Sequence, residues 1–454
     1  MSIGPSWARS ASILACLLIP CASGLPTSAA ATTLDQAFVD AYLENPRLRA
    51  GRAQLRATDE LVPQALSGYR PTVEIDGSLE GVSGQTDRGD IDRLTTGAAL
   101  SLRQNLYAGG GTQALVDASL EVVAATRAQL LSLEQTVLTD VVAAYSAVWR
   151  DRVVLELALA NASRLDRQLQ ATRDRFSVGE VARTDVAQAQ ARVAGARSDI
   201  EQARADLAAS VAAYRAVIGE DPQDLAEPEP AADLPASPEA AFLLAATNPE
   251  VVAAARLVES QRHRIDVAYA DLLPSLDLTG DLSYLDEPSA GLDYQRRATV
   301  GLQLNIPLYQ GGLEYSQVRE NRQTLLQRQG ELENSVRSVQ QQVTTAWEQL
   351  IAARAAIEAL KAQVDANRIA LDGVQEEAQV GQRTVLDVLD AEQELFESQV
   401  DLVRAQRVET VASYQLKAAI GEMTVVGLDL DVDPYDAEAY FEQQRTRLFG
   451  IDTQ

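Results

Sequence analysis

The stretch Glu376-Glu-Ala-Gln-Val-Gly-Gln-Arg-Thr-Val-Leu-Asp-Val-Leu-Asp-Ala391 decides the fold. It is a glycine-centred turn between two long helical patterns, followed by Asp387 and Asp390 on one helix face. An earlier stretch, Arg175-Phe-Ser-Val-Gly-Glu-Val-Ala-Arg-Thr-Asp-Val-Ala-Gln-Ala189, sets Val178-Gly179 against Val380-Gly381 and Asp185-Val186 against Asp387-Val388, both at an offset of 202 residues. One offset shared by both motifs marks a tandem duplication.

The duplication extends outward from these turns. Asn45-Pro46 matches Asn248-Pro249, Tyr69-Arg-Pro71 matches Leu273-Pro274, Leu106-Tyr-Ala-Gly-Gly110 matches Leu308-Tyr-Gln-Gly-Gly312, and Ile218-Gly-Glu220 matches Ile420-Gly-Glu422. The chain therefore divides into a first repeat over 32–219, a connector over 220–238, a second repeat over 239–423 and an acidic tail over 424–454. Five prolines and many acids make the connector extended rather than helical. Each repeat reads helix, strand, strand, long helix, turn, helix.

Residues 1–31 have the pattern of a secretory signal peptide: Arg9, a short apolar run from Ile13 to Ile19, and a small-residue cleavage site near Ala31. Both cysteines, Cys16 and Cys21, fall inside it in poor contexts for lipid attachment, so the mature chain is expected to carry no thiol. Removal of the leader leaves 38 basic against 65 acidic residues. So acidic a chain is not a nucleic-acid binder, because that affinity rests on clustered Lys and Arg. No apolar run after residue 31 approaches the roughly 20 residues of a membrane-spanning helix. An exported acidic chain of this kind is periplasmic, secreted or an outer-membrane β-barrel.

Four segments alternate with period two, and each has one apolar face. The strands are expected at about 71–83, 94–106, 274–285 and 297–308, joined in pairs by polar loops over 83–93 and 286–297. In the first, Val73, Ile75 and Leu79 oppose Glu74, Asp76 and Glu80; in the last, Val300, Leu302 and Leu304 oppose Thr299, Gln303 and Asn305. Runs of about ten residues match a tilted strand crossing a bilayer, although a soluble hairpin packed on helices would show the same alternation. Four strands cannot close a barrel, and open edges are not tolerated in hydrocarbon. If these strands face lipid, several chains must share one barrel.

Coiled-coil helices are expected over about 111–177, 184–217, 313–378 and 384–419. The third is proline-free, and at 1.5 Å per residue reaches roughly 100 Å. Along it Val339, Val343, Ala346, Leu350, Ala353, Ile357, Leu360 and Val364 step by three and four, the spacing of a coiled-coil seam. Alanines on neighbouring faces suit helices packed side by side, and a sheet of helices can curl into a tube.

Catalytic and cofactor chemistry is missing. His263, the lone histidine, stands between Arg262 and Arg264 with no base, nucleophile or orienting partner. No Cys/His cluster suits zinc, and no glycine-rich loop followed by lysine suggests a phosphate site. Asp387 and Asp390 read as a solvated face or as an acid–base pair for hydrolysis, and a helix tip offers little cleft for the second.

The helix–hairpin–helix duplication, the Asn-Pro and Leu-Tyr-x-Gly-Gly repeats and the paired Val-Gly-x-x-x-x-x-Asp-Val motifs resemble the TolC family of outer-membrane efflux and secretion channels, over about Thr33 to Met423. That resemblance implies a mixed α/β membrane protein: a homotrimer with one shared 12-stranded β-barrel in the outer membrane, continued across the periplasm by a coiled-coil α-helical barrel. It implies a passive, non-enzymatic exit duct without cofactor, working with a periplasmic adaptor and an inner-membrane pump of the RND or ABC type. By matching motif, Asp387 and Asp390 form an acidic ring at the narrowest point of the pore, favouring cations. Arg383 tethers the closed tip to a neighbouring turn carrying Thr184 and Asp185, and a tyrosine that assists this tether in some relatives falls at Ala378. The resemblance leaves the cargo open. A periplasmic coiled-coil adaptor or scaffold is the rival reading, and the four alternating strands disfavour it.

Overall fold

The computed structural model describes residues 31–452 apart from 88, 290 and 291; both cysteines and all but the last residue of the expected leader lie outside them. The first repeat opens with helices α1 (Leu34–Glu44), α2 (Pro46–Asp59) and α3 (Leu61–Leu66). Strands β1 (Thr72–Thr86) and β2 (Gly89–Ala108) follow, then helices α4 (Gly111–Ser177) and α5 (Arg183–Ile218). The second repeat runs α6 (Pro238–Ala245), α7 (Pro249–Ala270), β3 (Ser275–Ser289), β4 (Leu292–Asn305), α8 (Leu313–Gln379) and α9 (Val385–Ala419), and α10 (Ala439–Gln444) lies beyond it.

The Asn-Pro pairs break the short helices for a reason repeated in both halves. Asn45 caps α2 by accepting the Arg47 N–H at 2.9 Å, and Asn248 caps α7 by accepting the Glu250 N–H at 2.9 Å. Proline at the first helical position loses nothing, since its missing N–H would have no helical partner. Each asparagine also donates to the end of its repeat's return helix, Asn45 to the Val217 carbonyl at 2.7 Å and Asn248 to the Ala419 carbonyl at 2.9 Å. A terminal carbonyl without a helical donor is thereby satisfied. Pro238–Ala270 reaches a mean hydropathy of 1.3, enough for a membrane span by composition and above what the sequence reading allowed. Asn248-Pro249 divides it into α6 and α7, and it packs on α4 and α8.

The four strands form one antiparallel sheet in the order β1-β2-β3-β4. Its register aligns the apolar positions across the sheet: Ile75 faces Leu100, Leu100 faces Leu282, and Leu278 faces Leu302. Within the chain this face is bare, with Ile75 80% and Val300 84% exposed. The other face carries Glu74, Asp76, Ser101, Asp281 and Gln303, and among the described residues the outer edges of β1 and β4 are unpaired. The segments expected to be polar loops continue the ladder instead: Ser83 pairs with Asp92, Gln85 with Asp90 and Asp286 with Tyr294. Backbone pairing persists where alternation fades, because a ladder beyond the hydrocarbon needs no apolar face.

At the strand-to-helix junction Gly109 has φ +61°, and a Cβ there would stand 2.7 Å from the Ala270 carbonyl, so only glycine fits. Helices α4 and α8 each run 67 residues, about 100 Å at 1.5 Å per residue. The seam of α8 is buried over Val339, Val343, Leu350, Ile357 and Leu371, as a heptad stripe against an antiparallel partner should be. Midway along α4, where the return helices end, Phe38, Leu138, Val141, Tyr145, Tyr214 and Met423 form one apolar cluster. Near the tips Leu165, Leu169, Val193, Val385, Leu389 and Phe396 form another.

The acidic tail is an ordered strap. The Val425 N–H donates to Glu134 at 2.8 Å, the Tyr435 N–H donates to the Tyr42 hydroxyl at 2.8 Å, and the Arg52 guanidinium stacks between those two tyrosine rings. Further along, Arg127 pairs with Glu438 at 2.9 Å, and the Tyr440 hydroxyl donates to Glu60 at 2.8 Å.

Candidate gate at the helical tips

Two turns close the ends of the long hairpins. Val380 ends α8 and Gly381 takes φ +80°; Val178 ends α4 and Gly179 takes φ +83°. Left-handed backbone at this position lets the next N–H reach back over the helix end, and glycine adopts it without steric cost. The Gln382 N–H accordingly donates to the Glu377 carbonyl at 2.9 Å, and the Glu180 N–H to the Arg175 carbonyl at 2.9 Å.

Asp387 has a structural task. Thr384 caps α9: its hydroxyl oxygen accepts the Asp387 N–H at 3.2 Å, while the Asp387 carboxylate accepts the Thr384 N–H at 2.9 Å. This reciprocal box fixes the carboxylate at the positive end of the helix. Hydrogen bonds from Thr384, with Arg383 nearby, hold its pKa below the usual carboxylate value, so it stays charged. The first repeat has half of this device. Asp185 accepts the Ala182 N–H at 3.0 Å, and Ala182 has no hydroxyl to return the bond.

Asp390 does not stand free. It forms an ion pair at 2.5 Å with Arg192 of α5, a residue the sequence reading did not single out. The duplication contained the signal. Asp390 corresponds to Gln188 at the shared offset, and Arg192 lies one turn beyond Gln188 on the same face. A long side chain leaning toward its helix N-terminus spans that turn. Arg383 pairs with Glu377 of its own turn at 2.8 Å, so within one chain it does not meet Thr184 or Asp185.

Ala378 borders a cleft of about 680 Å³ between α4, the end of α8 and the start of α9, also lined by Arg164, Arg167, Arg175 and Glu392. Glu392 is buried there, with Oε2 lacking a hydrogen-bond partner, and burial pushes its pKa up. Among the described residues no group of His, Cys, Asp and Glu is placed to hold a metal ion.

A sheet with one bare apolar face, joined to paired helices of about 100 Å, defines an outer-membrane channel subunit with a periplasmic helical extension. The chain belongs to the outer membrane efflux protein family, whose model matches residues 38–220 and 243–422. It is 38% identical over 429 residues to the outer membrane efflux protein BepC of Brucella suis biovar 1 (strain 1330), covering 94% of this chain and 93% of that one. To the outer membrane protein TolC of Escherichia coli (strain K12) it is 29% identical over 425 residues, covering 88% and 84%. The crystal structure of the Campylobacter jejuni CmeC outer membrane channel superposes with a TM-score of 0.78 at 16% identity, covering 91% and 89%. The family and these neighbours are channel proteins, which leaves the adaptor reading without support.

Proposed function

We propose that three copies of this chain close one twelve-stranded barrel and one helical tube, forming a passive exit duct whose periplasmic tips act as the gate. The observation that carries this reading is the sheet itself: four strands with one bare apolar face and two unpaired edges. Neither edge is tolerable in hydrocarbon, and pairing β4 of one copy with β1 of the next removes every edge.

At the tip, Asp387 and Asp390 of each copy surround the narrowest point. Arg192 offsets half of that charge, and the ring still favours cations. Opening requires the turns to separate. Arg383 exchanges Glu377 for the Thr184–Asp185 turn of a neighbour in the closed state, and contacts this wet are individually weak. A docked periplasmic adaptor displaces them by binding the open arrangement better, and an inner-membrane pump of the RND or ABC type supplies the energy. The likeness to an efflux protein over nearly the whole chain favours efflux over protein secretion as the duct's task.

Purified outer membranes provide the test. The expected result is a detergent-solubilised, heat-modifiable trimer that forms cation-selective channels in planar bilayers. A monomer, or a protein that fractionates with the soluble periplasm, overturns the proposal.

A further inference from the structure

Residues 447–452 form a small loop closed around one guanidinium. Arg447 donates from Nε to the Phe449 carbonyl at 3.1 Å, and from Nη1 to the Asp452 carbonyl at 2.7 Å and to Gln444 Oε1 at 3.2 Å. Gly450, at φ +109°, lets the chain turn over that group. With the polar atoms gathered inward, the apolar side chains point out: Leu448 is 64%, Phe449 88% and Ile451 96% exposed. So concentrated an apolar tip on a chain of net charge −26 calls for an apolar partner.

The position of the loop identifies that partner. The Arg447 carbonyl accepts a hydrogen bond from Arg70 Nη1 at 3.2 Å, and β1 begins at Thr72. The loop is thereby pinned at the foot of the sheet, level with the start of the bare apolar band at Val73. Tyr69 and Tyr107, both about half exposed, lie at the same level, where aromatic rings mark a bilayer interface. The strap upstream is anchored by Phe441, which is buried against Val62 and Val123. We propose that residues 447–452 are an interfacial lipid anchor, inserting Leu448, Phe449 and Ile451 into the phospholipid leaflet at the periplasmic foot of the barrel. Side chains of this kind sit about 5–10 Å into the headgroup and acyl boundary. The anchor continues the lipid-facing band of the strands and fixes the height of the strap against the membrane.

The inference rests on the outer-membrane reading, and the experiment separates the two. Phe449→Trp and, as a control on the sheet, Leu302→Trp are purified as trimers and reconstituted into phosphatidylcholine vesicles. In some vesicles the acyl chains are brominated near the headgroup, and in others near the bilayer centre. The difference in tryptophan emission from wild type is read for each. The expected result is strong quenching of Phe449→Trp by shallow bromines, little by deep bromines and little by aqueous iodide. Quenching by iodide alone places the loop in water, and protection from both bromine and iodide places it under a neighbouring subunit; either result overturns the anchor. Quenching of Leu302→Trp by bromolipid in the same vesicles shows that the barrel has inserted, whatever the loop does.

Discussion

The Arg192–Asp390 pair makes the charge of the proposed gate adjustable by one substitution. Asp387, Asp390 and Arg192 together carry one net negative charge per chain, and Arg192→Gln raises that to two, doubling the negative charge of the proposed constriction. The pair is half-exposed at both ends, so its loss costs well under about 1 kcal/mol of tip stability and the duct still assembles. The effect on a permeating ion is larger. A carboxylate about 10 Å from a cation in water contributes about 0.4 kcal/mol, and one from each of three chains about 1.2 kcal/mol before screening. With a Debye length of about 30 Å at 0.01 M salt and about 8 Å at 0.15 M, that becomes roughly a fourfold gain in cation occupancy at low salt and roughly twofold at physiological salt, and because an anion is repelled by the same energy the cation-to-anion ratio moves by about the square of each. Reversal potentials of single channels across a KCl gradient measure this ratio directly. Asp390→Asn should lower it, and the Arg192→Gln/Asp390→Asn double variant should return it near wild type. An unchanged ratio for Arg192→Gln at low salt would refute the placement of Asp390 on the conduction path.

Three further outcomes follow from individual contacts. Thr384→Ala removes the hydroxyl half of the α9 cap and should destabilise the tip by about 1 kcal/mol, seen as faster amide exchange at Val385–Asp387 with the sheet unaffected; unchanged exchange there would contradict the box. Arg383→Ser should raise resting conductance and the uptake of large antibiotics, and a tightly closed variant would argue against a tether at that residue. Asp59 is buried beside Arg127, Glu60 and Arg56, and burial raises its pKa from 3.8 to about 6. The folded chain holds this proton more tightly than the unfolded one, so the contribution is fully present below 3.8 and is lost as pH rises through about 6. The Tm should therefore fall between about pH 4 and pH 6, and Asp59→Asn should flatten that slope; an equal slope in both proteins would exclude Asp59 as its source.

The duplicated parts of this fold were the legible ones, because each signal occurs twice at one offset. The Val-Gly turns, the Asn-Pro breaks and the strand-to-helix glycines mark positions where backbone geometry restricts the residue type. Strand alternation was legible only across the span where one face is apolar, which is why the ladder beyond Ser83 and Asp286 was read as loop. Contacts made once were silent. Glu134 meets Val425 and Tyr42 meets Tyr435 across several hundred residues with no periodicity to announce them, so the strap read as a featureless acidic tail. At the proposed gate, Asp387 and Asp390 were singled out by motif, but their partners were not. Thr384 and Arg192 are ordinary residues in a charged helical chain, and only packing reveals that Asp387 caps a helix and Asp390 is paired.

The central claim is that one barrel is shared between chains, so that β1 of one copy pairs with β4 of the next. Cysteines occur only at positions 16 and 21, within the expected leader, which gives a clean background for crosslinking. Val73→Cys in β1 can be combined in turn with Val300→Cys, Leu302→Cys or Leu304→Cys in β4, and mild oxidation applied to intact outer membranes. A shared barrel predicts covalent dimers and trimers that survive boiling, strongest at one register. Monomer at every register, from protein that has reached the outer membrane, would contradict it.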